Sequence, residues 1–129
     1  MEILNVLLAA IAAYGFGAVW YMALAQAWIK ASGVAVTEDG KPAGGVIPYV
    51  LAFLSALIVA GMMRHIFSLS GIETAGSGVV SGLGIGLFLA SPWILTCYGF
   101  SGRSFRLILI DGGFVTFSCM IIGLVLTLF

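Results

Sequence analysis

The chain has 129 residues, of which 62% are hydrophobic and only 8% charged, with no net charge at pH 7. Soluble domains carry about 25% charged residues, so a soluble fold of this size could not hide so much apolar surface, and lipid must cover it. Zero net charge also argues against a nucleic-acid partner and against a polybasic membrane-surface role.

The length suits a single domain, 1–129. Four apolar runs lie along it, at about 3–28, 46–68, 76–98 and 107–129. Each reaches the roughly 20 residues that cross a bilayer. Each is apolar around its circumference rather than along one stripe, as lipid or a buried bundle demands. The predicted fold is therefore all-α, an integral-membrane four-helix transmembrane bundle, up-down with short loops.

In the first run, Ala9, Ala13 and Gly17 recur four apart and share one helical face. Residues 3–20 alone make about 27 Å of helix, nearly a full crossing. Trp20 and Tyr21 then read as an interfacial aromatic belt, with Trp28 near the headgroups and Lys30 snorkelling toward water. Ala23-Leu24-Ala25 has the form of a signal-peptidase site. The apolar run before it is too long for a signal peptide, and Glu2 stands where a cationic n-region belongs, so a retained transmembrane helix is expected.

Residues 31–45 form the longest loop, with Glu38, Asp39 and Lys41 among glycines, and Asp39-Gly40 marks a turn. A solvated connector is the reading preferred over a binding lid. Pro48 suits the first turn of the second helix. That helix stays apolar to Met63 and then meets Arg64 and His65. With only one His in the chain, this pair reads as an interface anchor rather than a metal site or proton relay.

The third run is the most patterned: Gly78, Gly82, Gly86 and Ala90 lie four apart. In lipid, helices associate through close backbone approach, which small residues permit. This stripe predicts a packed seam, either against the Ala9/Ala13/Gly17 face of the first helix or against a second protomer in a homo-oligomer. Pro92 should kink the helix or end its regular bonding near Phe88. Cys97 and Cys119 both fall inside apolar runs and read as small buried hydrophobes, not as a disulfide or metal pair.

Lys30, Lys41, Arg103 and Arg106 flank loops 1–2 and 3–4, whereas the other side has only Arg64 with His65. The positive-inside rule then places the two odd loops in the cytoplasm and both termini outside a bacterial inner membrane.

Gly17-Ala18-Val19-Trp20-Tyr21 followed by Trp28-Ile29-Lys30 resembles the N-terminal signature of an uncharacterised bacterial membrane family, domain of unknown function 1761. Residues 99–123 are similar to its C-terminal half, with an aromatic-Gly-Arg loop, Arg106-Leu107, Asp111 followed by Gly112 and Gly113, and the late Gly123. The glycine-rich third helix also fits. Where that family often has Ser-Pro or a similar breaker after the Trp-Tyr pair, this chain has Met22-Ala23. The resemblance implies a four-helix bacterial membrane protein and supplies no activity, substrate or catalytic residue.

Asp111 is the one acid that must enter the hydrocarbon. It lies five residues past Arg106, about 7.5 Å along the axis. An unpaired carboxylate there costs on the order of 1–3 kcal/mol. Its candidate partners are Lys30, Arg103, Arg106 and the hydroxyls of Tyr21 and Tyr49. The preferred reading is a structural tie between helices. The alternative is a coupling site in a small oligomeric proton-coupled transporter or channel. No G-x-S-x-G, H-E-x-x-H or C-x-x-C occurs, and Gly82-Leu83-Gly84-Ile85-Gly86 lies inside a membrane helix rather than after a strand. The sequence calls for no cofactor and no metal, and it points to a non-enzymatic, accessory membrane protein.

Overall fold

The computed structural model describes residues 2–129. Its elements are α1 (Glu2–Ala23), α2 (Ala25–Ser32), α3 (Ile47–Ser70), α4 (Ala75–Gly84), a π-helical segment (Ile85–Ala90), α5 (Ser91–Phe100) and α6 (Phe105–Leu126). The fold is all-α. Four stretches are long and apolar enough to span a membrane: α1, α3, the continuous α4–π–α5 rod (Ala75–Phe100) and α6, here spans 1 to 4. A multi-pass protein in contact with lipid follows from these four apolar rods.

The first run, expected to continue to about Trp28, is divided. α1 ends at Ala23, and Leu24 leaves helical geometry (φ −107°, ψ 16°) before α2 resumes. No proline or glycine sits at this bend. The chain is fixed on either side instead. Trp20 and Tyr21 bond to span 4, and the last carbonyls of α2 bond to Arg103 and Ser104. Tertiary contacts thus set a bend that no local breaker announces.

The other ends follow local rules. Gly33 and Gly71 take left-handed φ of 67° and 68° to close α2 and α3, the conformation glycine adopts without steric cost. Gly40, at φ 78°, turns a small hairpin in which the Thr37 N–H donates to the Lys41 carbonyl at 2.7 Å. Thr74 and Ser77 form a reciprocal capping box at α4, and the Ser104 hydroxyl accepts from the Leu107 N–H at the start of α6.

Pro92 lies in the first turn of α5, and the helix before it widens to π geometry, with the Ser91 N–H donating to the Gly86 carbonyl. A proline has no N–H for the Phe88 carbonyl, and its ring would press on it. Five-residue spacing relieves both faults. It also alters the seam. Gly86 abuts the Thr116 backbone, yet the next residue to meet Thr116 is Ser91, five on, not Ala90, four on. Ala90 is only half-buried.

Spans 1 and 4 form the central pair. Span 2 packs on span 1 and, more lightly, on span 4, whereas span 3 packs on span 4. The small-residue stripe of span 3 therefore faces span 4, not the span 1 stripe that sequence reasoning offered within the chain. A Cβ added at Gly78 would strike the Gly123 carbonyl, and one at Gly82 the Cys119 carbonyl. The two backbones touch, which only glycine on the near side permits. Periodicity specifies that a face is small; it does not say which rod lies opposite. Ala9 and Ala13 instead join Ala60, Met63, Phe67 and Ile122 in the core. Gly17 gives room to the Phe114 ring, 2.8 Å from where a Cβ would lie.

Candidate functional site

Asp111 lies six residues into α6, about 9 Å below its start. Its Oδ1 accepts the Tyr21 hydroxyl of span 1 at 2.6 Å, and its Oδ2 accepts the Tyr98 hydroxyl of α5 at 2.7 Å. One side chain thus joins three spans. Both carboxyl oxygens have a donor at close hydrogen-bond distance, which answers the cost of a polar group in hydrocarbon.

The surroundings hold this arrangement in place. The Trp20 indole N–H donates to the Ile110 carbonyl at 3.0 Å. An added Cβ at Gly113 would come within 2.8 Å of the Trp20 ring, so glycine there lets the indole pack closely against α6. Phe114 packs on Tyr21 with ring centroids 5.1 Å apart, and Trp28 of α2 meets Tyr21 edge-on at 6.0 Å. Below the acid, the Ser91 hydroxyl reaches the Gly112 carbonyl at 3.1 Å and the Thr116 hydroxyl at 2.9 Å.

α2 closes the loop end above Tyr21. Arg103 Nη1 donates to the Ser32 carbonyl at 2.8 Å, and the Ser104 hydroxyl donates to the Ala31 carbonyl at 3.1 Å. The same Ser104 oxygen accepts from Leu107 N–H, so one hydroxyl caps the end of α2 and the start of α6 together. These are the carbonyls a helix C-terminus leaves without intrahelical partners.

Of the sequence candidates, Tyr21 and Asp111 are brought together. Lys30 and Arg106 are exposed and make no hydrogen bond or ion pair with Asp111 among the described residues. Arg103 serves the α2 carbonyl instead, and Tyr49 is 60% exposed. Tyr98 is the partner that sequence reasoning missed. The signal was present: in an up-down fold, a tyrosine near the end of one span sits level with the early turns of the next.

At the opposite end, Arg64 of span 2 makes a second crossing contact. Its Nη1 donates to the Leu126 carbonyl and its Nη2 to Glu2 Oε1, both at 3.4 Å. Two clefts of about 300 and 430 Å³ are lined in part by Arg64, away from Asp111. Among the described residues, no three His, Cys, Asp or Glu side chains gather as a metal-holding group.

The chain matches no curated protein and no solved structure. It does match, over residues 4–127, the family described as a protein of unknown function, DUF1761. Those residues take in nearly all of the four spans, the Tyr21–Asp111–Tyr98 contact and the Arg64–Leu126 contact, though not Glu2, and the chain belongs to the DUF1761 family.

Proposed function

We propose that this chain is a non-enzymatic, accessory multi-pass protein of the bacterial inner membrane, in which Asp111 is a structural tie. The observation that carries the reading is the complete engagement of the acid. Each of its oxygens accepts a tyrosine hydroxyl from a different span. A coupling carboxylate in a transporter has to exchange its partner for a proton or ion. The clefts beside Arg64, moreover, lie at the other end of the rods. A homo-oligomer built on the outer faces of spans 2 and 3 is compatible with this role, because those faces carry large apolar residues such as Leu54, Ile58 and Phe88.

A hydrophobic carbodiimide tests the tie. In membranes it modifies a carboxyl group that protonates and is open to the reagent. Wild-type protein should remain unmodified at Asp111, and the Tyr21→Phe, Tyr98→Phe double variant should become modified. Modification of the wild type at Asp111, read by peptide mass, would instead favour the small proton-coupled transporter or channel.

The orientation proposed is cytoplasmic for loops 1–2 and 3–4, with both termini outside. It rests on Lys30, Lys41, Arg103 and Arg106 against Arg64. Glu38→Cys, in a Cys97→Ser background, should react with an impermeant maleimide only after the cells are opened. Labelling of intact cells would reverse the topology. Glu38 suits this test because it is exposed in the hairpin.

A further inference from the structure

Arg64 has more binding capacity than its contacts use. Both of its hydrogen bonds are 3.4 Å long, beyond the usual range for N–H···O. One goes to Glu2, whose side chain is 70% exposed. The Arg64 side chain keeps 26% of its surface exposed, and among the described residues its two long contacts are the only hydrogen bonds it makes. A guanidinium offers five N–H donors in a planar fork, so this one is poised for a further acceptor.

The adjoining cleft of about 430 Å³ has two kinds of wall. Arg64, His65 and Ser68 supply donors, with Ser68 one turn beyond Arg64 on the same helical face. Glu2 supplies a carboxylate. Ile3, Val6 and Gly61 continue the cleft as an apolar groove between spans 1 and 2. The space beside Gly61 is open, because an added Cβ there would meet nothing within 4 Å.

Depth is also suited to a lipid headgroup. α3 has 24 residues, about 36 Å of helix against a hydrocarbon core of about 30 Å. Arg64 is six residues short of Ser70, so its stem brings the guanidinium to the headgroup boundary. An anionic headgroup would meet Arg64 but also the Glu2 carboxylate. A headgroup with a phosphate and a primary ammonium meets complementary charge at both points.

We propose that this cleft binds a phosphoethanolamine lipid. The phosphate lies on Arg64 and Ser68, the ammonium on Glu2, and an acyl chain along Ile3, Val6 and Gly61. The site is independent of Asp111 and of the accessory role, since it lies at the other end of the rods. Choline headgroups fit less well because a quaternary ammonium has no N–H to donate to Glu2.

The test is lipid binding by the full chain in detergent, read by native mass spectrometry with phosphatidylethanolamine, phosphatidylcholine and phosphatidylglycerol. Wild type should favour the ethanolamine lipid over the other two by about tenfold. Glu2→Gln should abolish that preference while phosphatidylglycerol binding persists or rises. Gly61→Leu projects into the groove from a position where the added Cβ has open space around it, so it should lose lipid yet stay folded. Arg64→Gln should lose all three phospholipids; if it fails to fold, the Glu2 and Gly61 variants decide. Equal binding of the three lipids by wild type, a preference for phosphatidylglycerol, or unchanged selectivity in Glu2→Gln would overturn the proposal. Competition by free phosphoethanolamine at the lipid's own concentration would overturn the acyl groove.

Discussion

Gly82→Leu should abolish the folded protein, whereas Gly84→Leu should leave it intact. At position 82 the first added carbon already strikes the Cys119 carbonyl, and the Met120 Cα lies 3.0 Å away. Neither obstacle is the end of a flexible side chain. Spans 3 and 4 would have to separate along their whole seam, and Gly78 and Gly123 would lose their mutual contact with it. Overpacking a yielding core costs about 1–3 kcal/mol; a backbone obstacle puts this substitution at or above the top of that range. Gly84 has nothing within 4 Å of an added Cβ. Leucine there faces lipid and gains up to about 1 kcal/mol of helix propensity over glycine. Thermal retention of the monodisperse species in detergent compares them directly. Equal losses would show that the glycine face is not what holds span 3 to span 4.

The next largest effect is expected at Asp111. Asp111→Ala removes both tyrosine contacts and leaves two hydroxyl groups in an apolar setting. Tyr21→Phe or Tyr98→Phe removes one contact and leaves one acid oxygen without its donor. Hydrogen bonds between membrane helices average about 0.6 kcal/mol and reach about 1.7. Leaving a buried polar atom unsatisfied adds about 1–3 kcal/mol. Each Tyr→Phe variant should therefore lose about 1–2 kcal/mol and Asp111→Ala somewhat more. The decisive readout is coupling. Double-mutant cycles pairing Asp111→Asn with Tyr21→Phe or with Tyr98→Phe should show about 1 kcal/mol of interaction. Cycles with Lys30→Gln or Arg106→Gln should show none. Coupling to Lys30 with none to the tyrosines would place the acid in a different contact from the one described.

Much of this was legible in the residues. Four apolar runs give four rods because a bilayer leaves the backbone no alternative partner. Asp39-Gly40 turns where a turn dipeptide should, and Pro92 disturbs the helix at Phe88 because a missing N–H is a local fact. Tyr21 reaching Asp111 follows from depth alone. The features that were not legible depend on neighbours. A small stripe says that something comes close, and here it is Cys119 and Gly123 rather than Ala13. The bend at Leu24 has no local cause, since Trp20, Tyr21, Arg103 and Ser104 impose it from outside. Tyr98 lies in an apolar run where a tyrosine can equally face lipid at the interface, and only the packing of α5 on α6 turns its hydroxyl to Asp111. Asn5 and Ser118, buried polar side chains in spans 1 and 4, give no sequence signal that separates them from lipid-facing positions.

The central pair of the molecule is its first and fourth spans. During synthesis the fourth is the last of them to leave the ribosome. Span 3 then waits in the bilayer without the rod that its glycines fit, and span 1 waits with one flank open. Lipid makes the wait cheap, since each rod satisfies its own backbone. Apart from the packing of span 2 on span 1, assembly is a late event: the arrival of α6 supplies the Gly123 seam, the acid for both tyrosines and the Ser104 clasp on α2 together. A chain arrested after Phe100 would keep span 2 packed on span 1 but would leave span 3 without its partner, its glycine face open to lipid and to membrane quality-control proteases.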